Sequence, residues 1–293
     1  YLNSFEGKTF LRNLIIENNV IDNSQNDGTY GYGGGLYMNV YANPYNPDLD
    51  VPIDEPMVEM IGCVVRNNSV ASNWENSGGA GGGVYINTNR KVRIDKCEIT
   101  NNFAEERGGG LWTYGNMPAH LDSPQVVVEV INSTISYNRA YGSLSTIRPP
   151  GRGIQIGGHL YFKLFNSIVF SNYWQELQGD WEGEEISVFG SDYSDVTLHI
   201  EYSNIEEGTE EIDLGYPAEY FIWGEGNIAS NPLFINGGIE GTNYQLTESS
   251  PCIDAGNPDL DGDGDDFSID QDDQDPDGTQ MDIGAYYFNQ SFT

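Results

Sequence analysis

The chain has 293 residues, with 45 acidic side chains against 12 basic ones and a net charge of −33. That balance argues against a nucleic-acid partner, because backbone phosphates call for a basic patch. No run approaches the roughly 18 consecutive apolar residues of a membrane helix, so no membrane-spanning segment is expected.

The length allows one large all-β domain or two ordinary ones. Gly, Asn, Tyr and Asp are abundant and no stretch has a helical apolar period, which favours strands joined by turns. The start at Tyr1, with no Met and no signal-like segment, reads as a processed or trimmed chain whose targeting information is missing rather than absent.

The first element in chain order is the phrase "NLIIENN" at 13–19. It recurs as "GCVVRNN" (62–68), "KCEITNN" (96–102), "NSTISYN" (132–138) and "NSIVFSN" (166–172), with a degenerate copy, "YSNIEEG", at 202–208. Each full copy ends in Asn, at 19, 68, 102, 138 and 172. An aliphatic residue sits three positions earlier: Ile16, Val65, Ile99, Ile135 and Val169. Two positions before that comes a small or apolar residue: Leu14, Cys63, Cys97, Ser133 and Ser167. An i, i+2 pair of this kind is the signature of one inward strand face. The fixed Asn is expected to make a turn, since Asn tolerates left-handed backbone and hydrogen-bonds locally.

A second phrase alternates with the first. "GGGLYMN" starts at Gly33, "GGGVYIN" at Gly81 and "GGGLWTYGN" at Gly108. The glycines suit a tight bend. The strand that follows is expected to alternate: Leu36, Val84, Leu111 and Ile154 inward; Tyr37, Tyr85, Trp112 and Gln155 outward; Met38, Ile86, Thr113 and Ile156 inward. Phrase spacings of 49, 34, 36, 34 and 36 would also allow helical repeats, but glycine triplets and β-branched runs are wrong for helices. A propeller blade would need four strands in roughly 40 residues. The better fit is a parallel β-solenoid whose coils stack about 4.8 Å apart. Insertions at 40–57, 70–80, 115–124, 140–152 and 173–185 are expected to bulge as loops, where solenoids often carry function.

Three cysteines without a CxxC, at 63, 97 and 252, argue against a disulfide framework or a zinc site. Cys63 and Cys97 should sit in adjacent coils as two buried thiols, because stacked strands hold side chains farther apart than a relaxed disulfide's Cβ separation of about 3.8 Å.

A large share of the acid lies between Asp254 and Asp282. In "DLDGDGDDFSID" (259–270), Asp259, Asp261, Asp263 and Asp270 occupy positions 1, 3, 5 and 12 of a calcium-type loop, with Gly264 at position 6 and Asp265 also within it. "DQDPDG" (273–278) repeats the first half with Asp273, Asp275 and Asp277. So dense a cluster either stays solvated or coordinates hard cations. We expect structural Ca2+, with one ion on the first set and a second helped by Asp273, Asp275 and Asp277.

These motifs carry a resemblance. The first two-thirds resembles right-handed parallel β-helix proteins of bacterial surfaces, including the polymorphic outer-membrane proteins. "NPLF" (231–234), "NYQL" (243–246), "SPCIDAG" (250–256) and "DIGAYYF" (282–288), in that order, resemble the terminal segment of the choice-of-anchor Q type of β-helix protein. The acidic loop is similar to thrombospondin type 3 and dockerin-like calcium segments. The resemblance implies export to the cell surface and a sorting or anchoring tail, with no agreed activity.

The expected fold is therefore all-β: a right-handed parallel β-helix over 1–230 with loop insertions, then a calcium-binding capping segment over 231–293. The expected function is a secreted or cell-surface bacterial module, non-catalytic, for adhesion, glycan binding or a structural role. Tyr37, Tyr85 and Trp112 could stack on sugar rings, although aromatic rows in solenoids commonly pack on each other; Trp174 and Trp181 are a weaker pair. The alternative is a calcium-assisted polysaccharide lyase or glycoside hydrolase. Such an enzyme would draw its base from His120, Arg148, Arg152, His159 and Lys163, all of which read equally as loop charges and a packed histidine. Exposed solenoid ends could stack between chains and give a homo-oligomer.

Overall fold

The computed structural model describes residues 1–4, 7–23, 31–42, 54–72, 79–116, 126–141, 150–174, 184–189, 196–215, 220–239 and 241–290. The cores of the five expected insertions lie outside the described residues, as do His120, Arg148 and Trp181.

Strands build four parallel sheets, each taking one strand per coil. The first sheet runs Leu2–Ser4, Leu36–Val40, Val84–Thr88, Leu111–Gly115, Gly151–Gly158, Glu184–Phe189 and Ile212–Asp213. The second runs Thr9–Arg12, Val58–Ile61, Val92–Asp95, Val126–Ile131, Leu160–Phe165, Val196–Glu201 and Phe221–Trp223. The third holds the recurring phrases, from Ile15–Glu17 through Glu98–Thr100 to Asn204–Ile205. The fourth is short, from Val20–Asn23 to Tyr173–Trp174. All-β, with parallel sheets stacked coil on coil, this is the architecture of a β-helix or solenoid-like fold.

The registers put like on like. Ile16, Val65, Ile99, Ile135, Val169 and Ile205 are neighbours in one ladder, so the degenerate sixth phrase is a true coil. The ladder is fully buried from Val65 onward, whereas Ile16, in the outermost coil, is only partly covered. The glycine-led strands align as expected: Leu36, Val84, Leu111 and Ile154 stack inward, and Tyr37, Tyr85, Trp112 and Gln155 stack on the other face. The second sheet alternates buried and half-buried positions in Val58–Ile61, Val92–Asp95 and Leu160–Phe165, the period-2 pattern of a strand with one face in the core.

The recurring Asn does not make the turn. The left-handed residues are its predecessors Asn18, Asn67, Asn101, Tyr137 and Ser171, together with Asn13, Gly62, Lys96, Asn132 and Asn166 at the opposite end of each phrase. The recurring Asn instead points inward and links coils. The Oδ1 of Asn68, Asn102, Asn138 and Asn172 accepts the backbone N–H of the equivalent Asn one coil earlier, at 3.1, 3.0, 3.0 and 2.9 Å. Each Nδ2 donates to a backbone carbonyl, as Asn102 does to Val65 at 2.9 Å. Beyond Asn172 the acceptor is a buried carboxyl: Glu185 takes its N–H at 2.8 Å and its Nδ2 at 2.5 Å. Satisfying the buried amides this way removes the desolvation cost that unpaired groups would carry.

The small residues two positions before the aliphatic ladder are buried as expected, and they also form a second polar ladder. The Sγ of Cys97 and the Oγ of Ser133, Ser167 and Ser203 each accept the backbone N–H of the coil before, at 3.4, 3.1, 3.1 and 3.2 Å. Cys63 and Cys97 are buried free thiols, as expected.

The glycine triplets answer to these ladders. Gly33, Gly81 and Gly108 are left-handed, with φ of +65, +69 and +63°. The third glycine of each triplet makes room for the asparagine: a Cβ on Gly35, Gly83 or Gly110 would lie 2.8 Å from the Nδ2 of Asn68, Asn102 or Asn138.

The segment from 231 onward lies along the side of the coils. Gly284 N–H donates to Asn166 O at 2.8 Å, Ala285 N–H to Thr134 Oγ1 at 3.0 Å and Tyr286 O–H to Glu98 Oε2 at 2.8 Å, a walk back across three coils. A second small core of Ile168, Leu246, Cys252 and Ile283 seals this contact. A segment expected as a cap thus covers the outer face of the third sheet.

Candidate metal centre and charged cavity

The side-docked segment carries the acidic loop. Alternating Asp and Gly coil the chain through side-chain-to-backbone bonds: Asp263 N–H donates to Asp261 Oδ1 at 3.1 Å, Asp265 N–H to Asp263 Oδ1 at 2.8 Å and Gly264 N–H to Asp259 Oδ2 at 3.2 Å. Asp270 caps the short 3-10 turn Gln271–Asp273, accepting Asp272 N–H at 2.9 Å.

That turn delivers Asp273 back to the start of the loop, where it is fully buried and its Oδ1 accepts Leu260 N–H at 2.7 Å. Its Oδ2, like Asp259 Oδ1, is buried and has no hydrogen-bond partner among the described residues. Burial, then the charges of Asp261, Asp270 and Asp259, raises the Asp273 carboxyl above its ordinary range.

Carboxylate oxygens of Asp259, Asp261 and Asp273 lie within 4.8 Å of one another, and so do those of Asp261, Asp263 and Asp270. The grouping differs from the linear loop spacing, because Asp273 folds onto the first set. Asp265 belongs to neither group. Asp275 and Asp277 act as ties: Asp275 Oδ2 accepts Asp282 N–H at 2.8 Å, and Asp277 Oδ2 accepts Gln290 N–H at 2.7 Å. Burial, then the Asp282 charge, pushes Asp275 up to about 7.

An all-oxygen donor set suits a hard cation. Calcium–oxygen distances of about 2.3–2.6 Å would place two ligand oxygens up to about 5 Å apart across the ion, so the spread of this cluster fits. Two buried carboxylate oxygens without a donor point the same way, since burying unpaired charge is costly.

The loop faces the second sheet across a cavity of about 430 Å³, bounded by Lys91, Arg93, Glu129 and Lys163 on the sheet and Asp261, Asp272 and Asp273 on the loop. Lys91 and Lys163 share one carboxylate, Glu129 Oε1, at 2.9 and 3.5 Å. These cations belong to the outward face of the second sheet, and of them the sequence reading singled out only Lys163. The period-2 alternation of "KVRID" (91–95) was the available signal.

The other expected sites are built differently. Tyr37 and Tyr85 stack face to face with ring centroids 5.1 Å apart, Tyr1 continues the stack at 4.7 Å, and Trp112 leans on Tyr85 at 5.7 Å under Arg107. Tyr85 is buried, so the row packs on itself and offers no continuous sugar platform. Arg152 pairs with Glu211; His159 is the bend between the strands Gly151–Gly158 and Leu160–Phe165, and Lys163 stands on the second of them. Glu98, on the outer face of the third sheet, accepts the Tyr286 hydroxyl at 2.8 Å.

The chain matches no family model, and no curated protein or solved structure matches it significantly. No helix among the described residues is long and apolar enough to cross a membrane.

Proposed function

We propose that the chain is an exported, non-catalytic module of a bacterial cell surface: a right-handed β-helix, stabilised by calcium, for adhesion, glycan binding or a structural role. The observation that carries this reading is the cluster of Asp259, Asp261 and Asp273, with its two buried, unpartnered carboxylate oxygens. Calcium supplies charge and oxygen coordination there without doing chemistry. Asp261 and Asp263 are exposed, and a loop this open suits the weak affinities, about 10⁻⁴–10⁻³ M, of extracellular calcium modules. The resemblance of 231–288 to the choice-of-anchor Q terminal segment supports the same location.

A second reading, a calcium-assisted polysaccharide lyase or glycoside hydrolase, is favoured by Lys163 lining the same cavity as Asp261 and Asp273. Incubating the calcium-loaded chain with acidic and neutral polysaccharides separates the two. Release of unsaturated or reducing ends that disappears in Lys163→Gln establishes the enzyme; absence of release with intact calcium binding leaves the module.

A further inference from the structure

The cavity between the second sheet and the acidic loop has an electrostatic asymmetry. Arg93, Glu129 and Lys163 are side by side on consecutive coils, because their strands pair in register. Glu129 is the one carboxylate shared by Lys91 and Lys163, and it cannot neutralise both. Arg93 meets Asp95 only at 3.5 Å and keeps over a third of its side chain exposed. The sheet wall is thus net positive.

The loop wall is negative and holds the buried, unpartnered Oδ2 of Asp273. The walls present three cations and four carboxylates, and Asp259 beside them adds a fifth, a net charge of −2 that one divalent ion on Asp259, Asp261 and Asp273 brings to zero. An anion would be repelled from the metal-free cavity, whereas the loaded one carries no net repulsion and offers it the ion, Arg93 and Lys163. Three Asp side chains also underfill a calcium ion, which takes six to eight oxygens. Ile131 and Phe165 add an apolar wall. A volume of about 430 Å³ falls within the range of about 300–1,000 Å³ typical of small-ligand sites.

We propose that this cavity binds a carboxylate-bearing saccharide. Its carboxylate completes the coordination of a divalent ion on Asp259, Asp261 and Asp273 and faces Arg93 and Lys163, while the C–H face of the sugar lies on Phe165. The proposal rests on the calcium-stabilised, glycan-binding reading above and names its ligand class and its place, which is the charged cavity and not the aromatic row.

Calorimetric titration of the full chain tests it, first with calcium and then with trigalacturonate, a neutral galactose trisaccharide and inorganic phosphate, in excess calcium and in EDTA. The expected result is trigalacturonate binding in calcium only, weakened at least about tenfold in Arg93→Gln and in Lys163→Gln, with the calcium heat unchanged in both variants. Equal binding in EDTA, equal binding of the neutral trisaccharide, or phosphate binding as tight as trigalacturonate overturns the proposal. So does a calcium-loaded chain that ignores trigalacturonate, which leaves the calcium reading standing. No calcium heat at all removes that reading and this one together.

Discussion

Asn138 Oδ1 accepts the backbone N–H of Asn102 at 3.0 Å and also its side-chain Nδ2 at 3.0 Å, so one amide in each coil ties both backbone and side chain of the coil before. Repeated along the solenoid, this relationship makes the asparagine ladder a structural spine, and several of its consequences can be measured.

Asn102→Ala removes the acceptor of the Asn68 backbone N–H and of its side-chain Nδ2, and takes away the side-chain donor to the Val65 carbonyl. With about 1–3 kcal/mol for each buried polar group left unsatisfied, the loss is expected to exceed about 2 kcal/mol. Chemical denaturation should show a lower midpoint with little change in slope.

Gly83→Ala tests the same ladder from the opposite side. Its Cβ would fall 2.6 Å from Gly110 O and 2.8 Å from Asn102 Nδ2, so coil spacing or the amide must shift. Overpacking of this kind costs about 1–3 kcal/mol. A thermal melt indistinguishable from the parent would contradict the close approach.

Ile99→Ala opens a cavity in the fully buried aliphatic ladder between Val65 and Ile135. The expected destabilisation is about 2–5 kcal/mol, and surface-like tolerance of the change would count against the register.

Glu185 closes the spine and brings pH dependence. Burial, reinforced by the neighbouring Glu206 carboxyl, raises its pKa well above the ordinary value. A carboxyl raised on folding contributes stability that is complete below its unfolded pKa of about 4.3 and is lost as pH rises through the folded value. Glu185→Gln keeps a neutral acceptor for Asn172 at every pH. The melting temperature of the variant relative to the parent should therefore climb between pH 5 and pH 8; a constant difference would mean that Glu185 does not titrate against folding.

Calcium should stabilise the folded chain, by about 2.7 kcal/mol at 100 times its dissociation constant. EDTA should lower the melting temperature and expose 257–282 to proteases, while the circular dichroism of the coils persists because their ladders do not depend on the loop. Asp273→Asn should weaken calcium binding, as it withdraws one of three clustered carboxylates. Melting and proteolysis that ignore EDTA would identify the loop as a solvated insertion.

What the sequence determined by itself was everything that repeats. The spacing of Ile16, Val65, Ile99, Ile135 and Val169 contained the register, since parallel coils place equivalent residues on one another. The alternation after each glycine triplet contained the inward and outward faces. Tertiary structure decided what depends on contacts between distant segments. The inward asparagines read as turn formers, because a side chain's local and cross-coil hydrogen bonds leave the same mark in a sequence. The capping segment turned to the side because Tyr286, Ala285 and Gly284 found partners on three different coils, and no local pattern encodes them. The acidic cluster was legible as composition but not as a candidate ligand set: only folding brings Asp273 to Asp259 and Asp261, and only the stacking of the loop against Lys91, Arg93 and Lys163 turns an acidic insertion into one wall of a charged cavity.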